Sequence, residues 1–280
     1  MSGYAPAVSD PLITDPPTDA LPPAATVPFP VPSAGLELLG VLHRPAGPGP
    51  HPVVVLLHGF PGNERNFDLA HAIRRAGYAT LVFHYRGAWG SPGAFSWGNA
   101  RQDAAAAVAA LRDPDVVAEH GLDPARIALA GHSMGGFVAL HTAATDPGIG
   151  AVASLAGFDF GIAAAEARSD PAARAAYVED WAGALGPLAG TSSEALVDEM
   201  VAAPDEWRLT TLGPALAGRP VLLGAGSLDD VSPPDAHHDP LCDAYAEARL
   251  TSHVWPSDHA LADHRVALAR ALITFLEDAL

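Results

Sequence analysis

Lysine is absent from the 280-residue sequence, so all 15 basic side chains are arginines, set against 32 Asp and Glu for a formal charge of -17 at pH 7. The arginine preference accompanies a sequence rich in Ala, Gly and Pro, and carries no mechanism of its own. The charge repels phosphate backbones and anionic lipid headgroups, so neither nucleic acid nor a membrane surface is an expected partner. Cysteine occurs once, at Cys242, which leaves no internal disulfide and no pointer to an oxidising compartment. The chain does not open on a basic segment followed by an apolar one, and no apolar run approaches the roughly 18 residues of a spanning helix. The expectation is a soluble, cytoplasmic protein. Charged residues make up 17% of the chain and hydrophobic ones 49%, the reverse of a disordered composition. A chain of this length supports one α/β domain with a substantial core.

Pro6, Pro11, Pro16, Pro17, Pro22, Pro23, Pro28 and Pro30 crowd the first 32 residues, a density that no helix or central strand accommodates. We read residues 1–32 as an extended arm and 33–280 as the folded domain. From there strands and helices alternate. Strands are predicted at 36–43, 53–57, 78–84, 126–130, 150–155, 220–225 and 250–255. Helices are predicted at 65–76, 98–112, 134–145, 235–248 and 261–279. Strand-helix repetition implies a mostly parallel sheet with helices on both faces. The alanine-rich stretch 158–215, with Trp181 and Trp207, interrupts the series between two strands. It reads as a helical cap over the carboxyl ends of the strands, where open α/β sheets bind ligands.

The stretch Gly131-His132-Ser133-Met134-Gly135-Gly136 follows a buried strand and opens a helix, the setting of a nucleophile elbow. Glycines on both sides permit a turn that lifts the Ser133 hydroxyl out of the sheet. The pentapeptide alone is weak, since this composition yields about 0.1 copies by chance. A helix N-cap serine is the alternative. A nucleophilic serine needs a base and a group to orient that base. Asp229 lies just past the strand 220–225, with Asp230 and Asp159 as competitors. His259 lies in the first loop after the last strand, with His264, His253, His237 and His238 as competitors. Two backbone N–H groups suit a developing oxyanion: Met134, directly after Ser133 at a helix N-terminus, and Phe60, in the turn His58-Gly59-Phe60-Pro61-Gly62. His58 is expected to orient that turn, and Arg86 and Trp89 either pack or touch substrate. The run Asp235, His237, His238, Asp239 reads as a solvated helix start rather than a metal site.

His58-Gly59-Phe60, Tyr85-Arg86-Gly87 with Gly90-Ser91-Pro92-Gly93, the elbow at Ser133, Gly226–Asp229 and Asp258-His259 together resemble the α/β-hydrolase superfamily over roughly 36–280. The nearest branches are the esterase, dienelactone-hydrolase-like and acylaminoacyl-peptidase-like ones. The resemblance implies Ser133 as nucleophile, His259 as base and then acid, Asp229 as its partner, and Phe60 and Met134 as oxyanion donors, with no cofactor and no metal. Serine at the elbow departs from dienelactone hydrolases, which carry cysteine there, and from epoxide hydrolases and dehalogenases, which carry aspartate. The expected activity is hydrolysis of small to medium acyl or aryl esters through an acyl-enzyme. Amide hydrolysis, acyl transfer and cofactor-free perhydrolysis on the same residues are alternatives, as is a non-catalytic ligand-binding protein. The expected partner is a small-molecule ester; the oligomeric state is open, a homodimer being one option.

Overall fold

The computed structural model describes residues 10–16 and 19–280. Among these described residues ten strands run in chain order as β1 (Ala25–Pro28), β2 (Val31–Ser33), β3 (Leu36–Leu38), β4 (Gly40–Arg44), β5 (His51–Leu57), β6 (Ala79–Phe83), β7 (Leu122–His132), β8 (Ala151–Leu155), β9 (Pro220–Gly226) and β10 (Arg249–Trp255). Eight of them form one sheet in the order β1-β4-β6-β5-β7-β8-β9-β10, and β2 and β3 make a separate hairpin. The two pairings at the β1 end are antiparallel and all others are parallel.

The central strands are buried on both faces: all seven residues of β5 and all five of β8 are buried. This is what a parallel sheet sandwiched between helices demands. On one face lie α1 (Phe67–Arg75) and, from the chain's end, Arg265–Ala279, packed on Val54, Leu56, Ala128 and Leu222. On the other lie α2 (Trp97–Leu111), α3 (Pro114–His120) and α4 (Met134–Thr145), with α2 and α4 packed on Val53, Val55, Leu57 and Leu129. Between β8 and β9 the chain forms α5 (Phe160–Ser169), α6 (Pro171–Ala182), α7 (Ser193–Ala202) and the short α8 (Gly213–Leu216). This insertion is tied to the loop after β6 by Trp89 N–H to Pro187 O, Ala189 N–H to Gly87 O and Phe95 N–H to Ala189 O, at 2.8, 2.7 and 2.9 Å.

Several expectations need correction. The arm at 1–32 supplies β1 and β2, so sheet structure begins before residue 33; Pro28 is tolerated because β1 is an edge strand. The parts of the arm at 1–9 and 17–18 lie outside the described residues. The strand expected at 36–43 is two strands, because the chain leaves the hairpin at Leu39 and joins the main sheet at Gly40. The helix expected at 235–248 is α9 (Pro234–His237) and α10 (Asp239–Ala244), since Pro240 starts a new helix rather than continuing the old one. The terminal helix, α11 (Arg265–Ala279), begins after a 3-10 turn at Ala262–His264. A helix that the sequence reading lacked, α3, is closed by Gly121 in the left-handed conformation.

Candidate active site

Ser133 stands between β7 and α4 with φ 55° and ψ -121°, a conformation that side-chain-bearing residues hold only when the surroundings impose it. The surroundings do so through close packing. A Cβ on Gly131 would collide with the Gly135 carbonyl oxygen, and one on Gly135 with the Leu57 carbonyl oxygen of the neighbouring strand. The Ser133 N–H is held by Leu155 O at 2.9 Å, and Ser133 O accepts from Gly136, Phe137 and Phe158. Ser133 therefore stands at the carboxyl ends of β5, β7 and β8.

Asp229 and His259 meet at the same sheet edge, on the loops that follow β9 and β10. His259 Nδ1 lies 2.8 Å from Asp229 Oδ2. Asp229 Oδ1 accepts from the N–H groups of Val231 and Ser232 at 2.9 and 2.8 Å. Burial pushes this carboxyl up, but the bonds from His259 and Ser232 outweigh it and hold it down at about 2. An ionised carboxylate can only accept, so the Nδ1 position of His259 is the donor in this bond. His259 is fixed to the elbow from behind: His132 Nε2–H donates to His259 O at 2.7 Å, and the two rings stand 5.0 Å apart. Burial lowers His132 to about 4, which keeps it a neutral donor. The structure brings Asp229 to His259, and Ser133 to the same edge. No hydrogen bond joins Ser133 Oγ to His259, and such contacts are commonly long in ligand-free enzymes.

The competitors have other tasks. Asp230 is exposed. Asp159 caps α5, accepting from Gly161 and Ile162, and takes a further bond from the Leu209 N–H. Its burial raises the carboxyl to about 6. His253 stacks on Trp255, and His264 sits in the 3-10 turn before α11. His237 and His238 diverge. His237 accepts the Asp159 N–H on Nδ1 at 2.9 Å and stacks on Phe158, whereas His238 faces Ser252 and Asp239. The backbone donor on Nδ1 fixes the His237 proton on Nε2.

The Phe60 and Met134 N–H groups belong to the turn after β5 and to the head of α4. Gly59 approaches the elbow so closely that a Cβ on it would stand 3.0 Å from Ser133 Cβ. Neither the Phe60 nor the Met134 N–H has a backbone acceptor among the described residues. The Met134 N–H heads α4, where the helix dipole favours negative charge. His58 orients this turn through Nδ1–H to Gly59 O at 2.8 Å, and burial keeps it neutral, at about 3. Arg86 is structural, its guanidinium bonded to buried Asp103 at 2.7 Å. Trp89 is tied to the turn after β5, donating from Nε1 to Pro61 O at 2.8 Å. The Phe60 ring packs on Phe95, Trp97 and Trp181, the last from the insertion. Sequence reasoning missed His132 and Ser232. Their signals are the position just before Ser133 and the spacing Asp229-x-x-Ser232.

A family model described as the α/β hydrolase family matches residues 54–279, and the chain belongs to that family. Among curated proteins, one from Escherichia coli described as an uncharacterised 31.7 kDa protein in the traX-finO intergenic region is 29% identical over 144 residues. That match spans 48% of this chain and 47% of the relative, about half of each. Among solved structures, an esterase of Pyrococcus furiosus superposes with a TM-score of 0.67 at 16% identity, covering 91% of this chain and 92% of its own. Est1E from Butyrivibrio proteoclasticus, also known with ferulic acid bound, gives 0.65 at 19%, covering 90% and 98%. A 2,6-dihydroxy-pseudo-oxynicotine hydrolase gives 0.66 at 22%, covering 92% and 68%. At these identities the likeness is one of fold. Among the described residues no helix is long and apolar enough to cross a membrane.

Proposed function

We propose that the protein is a carboxylic ester hydrolase in which Ser133, His259 and Asp229 act together. The observation that carries this reading is the 2.8 Å bond between His259 Nδ1 and an ionised Asp229, set at the same sheet edge as a serine held at φ 55°. In the proposed reaction His259 Nε2 takes the Ser133 proton as Oγ adds to the ester carbonyl carbon. The carbonyl oxygen becomes an oxyanion, received by the Phe60 and Met134 N–H groups. Collapse expels the alkoxide, which His259 protonates, and leaves an acyl-Ser133. Water then adds with His259 again as base, and the carboxylic acid departs. Asp229 keeps the imidazole in the required tautomer and stabilises the imidazolium in both halves. The chain supplies every group this sequence needs, so no cofactor or metal enters it.

The expected substrates are small to medium acyl or aryl esters. Support comes from the half-buried rings of Phe60 and Trp181, which pack on each other beside the proposed oxyanion donor of Phe60. Turnover of p-nitrophenyl acetate and butyrate tests the reading. Ser133→Ala is expected to lose at least about a thousandfold in kcat and to lose labelling by a fluorophosphonate probe. Unchanged turnover in this variant refutes the assignment.

A further inference from the structure

The loop holding Asp229 contains a second hydroxyl that the reaction above does not use. Ser232 is 2% exposed. Its Oγ lies 2.9 Å from Asp229 Oδ2, 3.1 Å from Ala156 O and 3.2 Å from His259 Nδ1. Its own N–H donates to the other Asp229 oxygen at 2.8 Å. The Ala156 carbonyl is aimed there by a backbone at φ 46°, a left-handed conformation that costs a residue other than glycine about 1–3 kcal/mol and marks a position its surroundings impose. We propose that Ser232 is a positioning residue of the proton-transfer set, acting on His259 through a hydroxyl that can change acceptors. This rests on the reading that Ser133, His259 and Asp229 act together.

A hydroxyl has one proton to donate, and two acceptors lie in reach. With His259 neutral, donation to Asp229 Oδ2 shares the carboxylate charge and holds its plane. When His259 becomes an imidazolium, rotation of the same O–H to Ala156 O returns the full charge of Oδ2 to the cation. It also turns a lone pair toward the Nδ1–H. No bond between heavy atoms changes, and the proton stays on Ser232. The bond to Asp229 thus serves the resting state and the bond to Ala156 the charged one. A fixed donor such as a backbone N–H could not serve both.

The test compares Ser232→Ala and Ser232→Thr with the unaltered chain by pH-dependent kinetics and by the proton resonance of the His259–Asp229 hydrogen bond. Ser232→Ala is expected to lower kcat by roughly tenfold with KM little changed. It should also move the acid limb of kcat/KM to higher pH, because an unshared Asp229 charge favours the imidazolium in the resting enzyme. The bridging proton resonance should shift, and Ser232→Thr, which keeps the hydroxyl, should restore most of both effects. An unaltered acid limb and resonance in Ser232→Ala overturns the proposal, as does a Ser232→Thr enzyme as impaired as Ser232→Ala. Ser133→Ala separates the two levels: if that variant keeps its activity the underlying reading fails, whereas an inert Ser133→Ala beside a silent Ser232→Ala sinks only the role of Ser232.

Discussion

Lowering the pH from 7.5 to 5 should destabilise this protein far more than its many carboxylates would suggest, because the burden falls on histidines. His43, His58, His132, His141 and His237 are each no more than 9% exposed. Burial is the leading cause in every case, lowering His58 to about 3 and the other four to about 4. The unfolded chain returns each to about 6.5. Between these values the unfolded state binds more protons, so stability is complete above about 6.5 and falls as the pH drops toward 4. At about 1.4 kcal/mol per unit, each histidine costs about 2 kcal/mol by pH 5. Asp159 works in the opposite sense, since its raised value of about 6 lets the folded state hold a proton that the unfolded state has lost. It returns about 1.4 kcal/mol over the same interval. The net loss is about 9 kcal/mol, comparable to the whole stability of an ordinary domain. Asp229, held at about 2, adds its own loss only below pH 4. Urea unfolding at half-unit steps from pH 7.5 to 5 measures the slope, and titration calorimetry of unfolding near pH 5.5 counts the protons. A flat stability across this range, or fewer than two protons taken up per molecule, refutes the reasoning.

Two further outcomes follow from close packing and from burial of charge. Gly135→Ala drives a methyl into the Leu57 carbonyl oxygen of a central strand, and is expected to cost about 3 kcal/mol or more in chemical denaturation. Arg86→Leu leaves Asp103, which is fully buried, without its 2.7 Å guanidinium partner. The expected loss is about 3–5 kcal/mol, with KM for ester substrates unchanged in whatever folds; a selective rise in KM would return Arg86 to the substrate.

The elements that were legible in the sequence are those whose burial is uniform. β5, β8 and β9 are short apolar runs bounded by turns, and α4 begins directly at the elbow, so both position and type could be read. Proline and strand exchange defeated the rest. Pro240 divides what looks like one amphipathic stretch into α9 and α10, and Leu39 is where an apparently continuous strand leaves a hairpin for the main sheet. At the site, Ser133 could be singled out because glycines at 131 and 135 are local requirements of a tight turn. Asp229 could not be separated from Asp159 by position, since each follows a parallel strand at the same edge. What separates them is where their oxygens go: Asp159 spends both on the backbone N–H groups of Gly161, Ile162 and Leu209, while Asp229 keeps Oδ2 for side chains. Such allocation depends on long-range folding, and no local pattern encodes it.

That allocation also explains why the site's electrostatics resist reading from composition. A chain with a charge of -17 would be expected to surround any histidine with carboxylates and favour its charged form. At the carboxyl edge of the sheet burial dominates instead, holding His58, His132 and His237 neutral. Asp229 is directed at His259, at 2.8 Å. Neutral histidines at 58, 132 and 237 thus lie along the same edge as the Asp229–His259 pair. The net charge of the chain is acidic, whereas burial decides the charge of the imidazoles at the sheet edge.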